Sequence, residues 1–141
     1  MNSVRERILR TVTTRVADAV APVLVLRAPT LPVSRESSPA LLVFAEGDSI
    51  TAHANSLVER LLTIRLVAIA RGNDAFDEAD LVVVGAHAAL MSDCNLGGLA
   101  LAVREVDCEW DAEDADIGAV ALPSRYEIRY RTHALDLTQT G

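Results

Sequence analysis

Lysine is missing from this chain, and all thirteen basic residues are arginines. That bias suits planar pairing with carboxylates, and a GC-rich gene produces the same bias. The net charge is −7, and no basic run is interleaved with aromatics, which excludes a nucleic-acid backbone as the main partner. Aromatic residues make up only 4% of a chain that is 50% hydrophobic, so the core must be aliphatic and rely on close packing of small side chains. Cysteine is nearly absent: Cys94 and Cys108 form no CxxC and have no His pair at zinc spacing, and both are expected to be reduced structural thiols. Long apolar runs are also lacking. Leu81–Val84 is far too short to span a bilayer, and the N-terminus alternates charges where a signal peptide would be apolar, so the expectation is a soluble, non-exported protein with no membrane partner.

What is present fits one domain over residues 1–141. Ser3-Val4-Arg5-Glu6 reads as a capping box, and Val4, Ile8, Val12, Val16 and Val20 recur every fourth residue behind it, predicting an amphipathic helix over 4–20. Pro22 ends it. Val23–Leu26 is a short strand, followed by an extended loop through Ser38. A second strand at Leu41–Ala45 runs into "EGDSITAHANS", whose turn formers predict an irregular loop. Leu57–Arg71 fits both strand and helix periods; its β-branched content and the Gly-Asn-Asp turn after it favour a strand. Asp74 is placed to cap a helix over 75–91, whose second half, "LVVVGAHAALM", is apolar almost all round and so must be covered on more than one side.

Two strands close the chain. In the first, Ala100, Ala102, Val106, Cys108 and Trp110 are expected on the core face; in the second, Val120, Leu122, Tyr126, Ile128 and Tyr130. A hairpin centred near Asp116–Gly118 would set Glu105 and Glu109 near Arg129 and Arg125 on the other face. The expected fold class is α+β, with two helices packed on one face of a largely antiparallel sheet of four to five strands.

Three stretches raise chemical questions. "LVFAEGDSIT" resembles the first block of the GDSL hydrolases, in which the motif serine attacks an ester. That resemblance implies a C-terminal Asp-x-x-His, but Ile50, Val84 and Tyr130 stand three before His53, His87 and His133. No helix clearly follows Ser49, and a nucleophile without a positioned base is poor chemistry. "DCEWDAEDAD" holds six carboxylates in ten residues but lacks the glycine and terminal glutamate of an EF-hand, so a solvated acidic face or subunit contact is expected. His87 has no second ligand at helical spacing and reads as a hydrogen-bonded or interface histidine. The reading is therefore non-enzymatic, with no catalytic residues, cofactor or metal.

As a whole the chain resembles the phage tail terminators, the family of minor tail protein U. The resemblance is carried by "NSVRERILRTVTTRVA", "SSPALLVFAEGD", "ERLLTIRLVAIARG" before an acidic-capped helix, "AHAALMSD", "LGGLALAVREVDCEWDAEDAD" and "YEIRYRTHALDL", in the family's order over nearly the full length. It implies a homohexameric ring in the virion tail, assembled in the bacterial host cytoplasm. Such a ring caps the tail tube, stops its polymerisation and offers a surface to the head-completion or neck protein. DNA would pass its lumen without specific binding. A head-tail connector or tail-completion protein is the nearest alternative, and a GDSL-like esterase a remote one. The expected contact residues are Glu46, Asp48 and His53 in the polar loop; Gly85 and His87 in the second helix; Asp107, Glu109 and Asp111 in the acidic strand; and Arg125, Arg129 and Arg131 in the last strand.

Overall fold

The computed structural model describes residues 1–28, 38–108 and 119–141. The first helix, α1 (Val4–Val20), starts at Ser3, whose hydroxyl accepts from the Glu6 amide at 3.1 Å. Its buried face is the expected one: Val4, Ile8, Leu9, Val12, Val16 and Val20. The second half of the expected capping box is not formed. Glu6 instead accepts from Arg10 at 2.9 Å and from Arg27, at the end of strand β1 (Leu24–Arg27), at 2.8 Å. Two guanidinium partners outcompete one amide, because charge-assisted bonds are about twice as strong as neutral ones. They tie the edge strand to the helix.

Strands β2 (Ala40–Ala54), β3 (Leu57–Arg71), β4 (Ala102–Asp107) and β5 (Ala119–His133) complete a five-stranded sheet in the order β1-β2-β3-β5-β4. Only β1 and β2 are parallel; the other pairs are antiparallel, so the sheet is mixed but largely antiparallel. Residues 57–71 are a strand, and Val58, Leu62, Ile64, Leu66, Ala68 and Ala70 turn to the face that also carries Tyr126, Ile128 and Tyr130. Helices α1 and α2 (Ala75–Met91) cover that face, so the α+β class with two helices on one face is the observed fold. Asp74 stands at the N-cap of α2 without a side-chain cap bond; Asp77 and Glu78 bring negative charge to the first turn, where the helix dipole favours it. Neither helix is long and apolar enough to cross a membrane.

Two expectations are corrected. The "EGDSITAHANS" segment is not an irregular loop: β2 continues to Ala54 and pairs with β3 down to Ala54↔Leu57, turning over Asn55 at φ 58° and Ser56. Its turn-forming residues are absorbed by register shifts between Ala45 and Gly47 and between Ile50 and Ala52, bulges that let pairing with β3 override local propensity. In β4 the core face is shifted by one residue. Val103 is buried opposite Ile128, while Ala102 and Val106 are exposed. A register shift between Glu105 and Asp107 puts Asp107 opposite Arg125. A one-residue slip exchanges the two faces of a strand, which is why the apparent alternation misled.

The expected cross-strand pairs change with it. Arg125 takes Asp107 at 2.7 Å, Glu105 lies opposite Tyr126, and Arg129 stands opposite Ala102. Glu109, Asp111 and the turn expected at Asp116–Gly118 lie outside the described residues, as does most of the loop expected before Ser38.

Candidate functional site

The sheet face away from the helices carries a network of charges. Glu46, at the first bulge of β2, lies 3.5 Å from Arg65 and 3.7 Å from Arg125, and Arg125 also grips Asp107 with bonds of 2.7 and 2.6 Å. The Arg125 guanidinium holds the Asp107 carboxyl below the usual carboxylate range, against a smaller opposing effect of burial. Arg104 bonds Glu127 at 2.9 Å, and Arg131 lies 3.8 Å from Glu59. The Arg65 guanidinium sits 5.0 Å from the centre of the Phe44 ring. Solvent-exposed pairs of this kind contribute about 0.2–1 kcal/mol each, so they set register more than stability. Glu46, Asp107 and Arg125 are thus brought together, whereas Arg129 has no carboxylate at ion-pair distance among the described residues.

Asp48 lies on the helix side. Its side chain is only 8% exposed, pairs with Arg5 of α1 at 3.3 Å and accepts the Tyr130 hydroxyl proton. Burial, and then the Asp48 hydrogen bond, push the Tyr130 hydroxyl far above its ordinary range, so it stays a donor. The expected projecting loop is corrected here: Asp48 stands within strand β2 and joins it to α1 and β5. Ser49 is exposed opposite Leu61 in mid-strand, and more strand follows it where the hydrolase arrangement has a helix. His53 is exposed near the hairpin tip, opposite Val58.

On α2, Gly85 serves the packing of the two helices. A Cβ there would stand 3.2 Å from Val20 Cγ1 and 3.8 Å from the Ala19 carbonyl oxygen, so glycine permits the close approach of α1. His87 Nδ1 lies 2.8 Å from the Tyr126 hydroxyl and 3.2 Å from Glu105 Oε2, with the side chain 42% exposed. Burial, then the Glu105 charge, push the Tyr126 hydroxyl well above its ordinary range. The imidazole is hydrogen-bonded and half-buried, one of the two roles expected of it.

The outward face of α2 is apolar and uncovered: Phe76, Leu81 and Val84 are 67%, 71% and 58% exposed. Leu81 and Gly85 also line a groove of about 330 Å³ shared with Ala19, Ala21 and Pro39. The all-round apolar sequence of this helix called for more cover than the sheet and α1 supply. Phe76 escaped sequence reasoning because it stands alone between Ala75 and Asp77, although it falls five and eight residues before Leu81 and Val84, near one helical stripe. Leu135 and Leu137, 100% and 48% exposed beyond β5, also escaped notice.

Cys94 and Cys108 are both free thiols. Cys94 is half-buried and donates to the Met91 carbonyl, whereas Cys108 is exposed, 3.8 Å from Ser124 Oγ. Among the described residues no three His, Cys, Asp or Glu side chains gather into a group that could hold a metal ion. The arrangement exposes surfaces of two kinds, an apolar helix face and a charged sheet face, on opposite sides of the sheet. No protein-family model matches this chain, and no curated protein matches it.

Proposed function

We propose that the chain is a phage tail terminator that assembles into a homohexameric ring, caps the tail tube and presents a surface to the neck. The observation that supports this best is the uncovered apolar face of α2, with Phe76, Leu81 and Val84 largely exposed. An apolar helix stripe beside an apolar groove is what a subunit contact requires, and exposed patches of this kind mark interaction sites. The charged sheet face differs in chemistry from the helix face, and a cyclic ring needs two unlike surfaces on each subunit. A net charge of −7 suits a ring through which DNA passes without binding phosphate. Order and texture of sequence along the chain are the other support.

The test is polymerisation of the tail tube protein with and without the purified chain. A terminator shortens the tubes in proportion to its concentration and is found at their ends. Tubes of unchanged length would refute the reading, and capture by the portal end of heads in place of tubes would identify a head-tail connector.

A further inference from the structure

Charges left unmatched among the described residues bear on which surface meets which in a ring, an inference that rests on the terminator reading. Asp74, Asp77 and Asp80, at the start of α2, have no cation at ion-pair distance among the described residues, and neither has Asp18 of α1. They flank the exposed Phe76 and Leu81. At the other end of the sheet Arg129 has no carboxylate at ion-pair distance among the described residues, and Arg131 holds Glu59 only at 3.8 Å, with the fully exposed Leu135 just beyond.

The two groups are far apart. Helix α2 starts directly after Arg71 of β3, while Arg131 pairs with Glu59 near the opposite end of that strand. Twelve strand residues span about 40 Å, so the acidic turn and the arginines of one molecule do not reach each other. Each can be neutralised by the other group on a second copy, and because the surfaces differ the contact is heterologous and repeats around a ring.

We propose that the apolar face of α2 and its acidic first turns dock on the Arg129–Arg131 end of the neighbouring copy. Leu135 meets the α2 stripe, and Asp77 and Asp80 face the arginines. The acidic rim sets the register of an apolar contact, and opposite potentials speed encounter and reject wrong pairings.

The test uses the full chain with three sets of substitutions. Asp77→Arg with Asp80→Arg, and separately Arg129→Glu with Arg131→Glu, are each expected to reduce the assembly to a single chain of 15.1 kDa by light scattering, with the circular dichroism of the folded domain retained. All four substitutions in one chain are expected to restore the ring, since each interface then carries the reversed pair. Rings from either two-residue variant at the wild-type concentration would overturn the docking, as would a four-residue variant that stays monomeric. In both cases tube capping by the wild-type chain would leave the terminator reading standing. A wild-type chain that forms no ring even with tail tubes overturns both.

Discussion

Replacing Tyr130 by Phe removes one oxygen from a place where the structure gives it a specific task. The Tyr130 hydroxyl donates to Asp48, a carboxylate only 8% exposed, and the remaining partner is Arg5 at 3.3 Å. Asp48 Oδ1 already has no hydrogen-bond partner among the described residues, so the hydroxyl supplies a large share of what stabilises this buried charge. A hydrogen bond to a charged group contributes about 1.5–3 kcal/mol, and leaving the acceptor short adds a desolvation cost, so about 2 kcal/mol is expected. With an unfolding entropy of about 2.1 cal/mol/K per residue over 141 residues, that lowers Tm by about 7 °C. The assay is thermal unfolding by circular dichroism at fixed protein concentration, because assembly also shifts Tm. Ser49→Ala, next in sequence but exposed on the other side of β2, is the control and is expected to stay within about 0.5 kcal/mol of wild type. If Tyr130→Phe is as neutral as Ser49→Ala, the buried role given to Asp48 is wrong.

Three further outcomes follow from the packing and the ion pairs. Val103→Ala is expected to cost about 2 kcal/mol in urea unfolding and Val106→Ala less than about 0.5, the order fixed by their 4% and 40% exposure; the reverse order would restore the register read from sequence. Gly85→Val puts bulk where a first carbon already lies 3.2 Å from Val20, and should destabilise by about 1–3 kcal/mol; a neutral result would refute the close helix approach. The Glu6 carboxyl is lowered from 4.5 to about 2, chiefly by its hydrogen bond to Arg27 and then by Arg10. Because the folded value is depressed, this stabilisation is present above about pH 4.5 and is lost as pH falls towards 2. Arg27→Met should therefore cost about 1 kcal/mol at pH 7 after allowance for solvent screening, and much less near pH 2; an equal cost at both would contradict the linkage.

Periodicity sufficed where one face of an element is buried and the other wet. The fourfold spacing from Val4 to Val20 and the even positions from Leu62 to Ala70 and from Tyr126 to Tyr130 name the core as it is observed. It failed where backbone irregularity shifts the count. Gly47, Asp48 and Ser49 look like turn chemistry, but two bulges let them continue a 15-residue strand, and only the partner strand reveals this. Val103 and Val106 are indistinguishable by composition, and only the pairing with β5, which sets Val103 opposite the buried Ile128, shows which packs. Of the contact candidates, Asp48 also ties β2 to α1 and β5, and Gly85 also permits the close approach of α1, because neither depth nor helix separation is written in a residue type. The apolar excess of α2 was legible as a need for cover. Which side lacked it became visible only with Phe76, Leu81 and Val84 placed in space.

The central claim, a ring that ends a tube, is tested most directly by imaging the purified chain with growing tail tubes while measuring its mass by light scattering. The account predicts rings of about six times the 15.1 kDa chain mass seated at tube ends, with elongation halted. Single chains that leave tube ends bare and growth unchanged would contradict it.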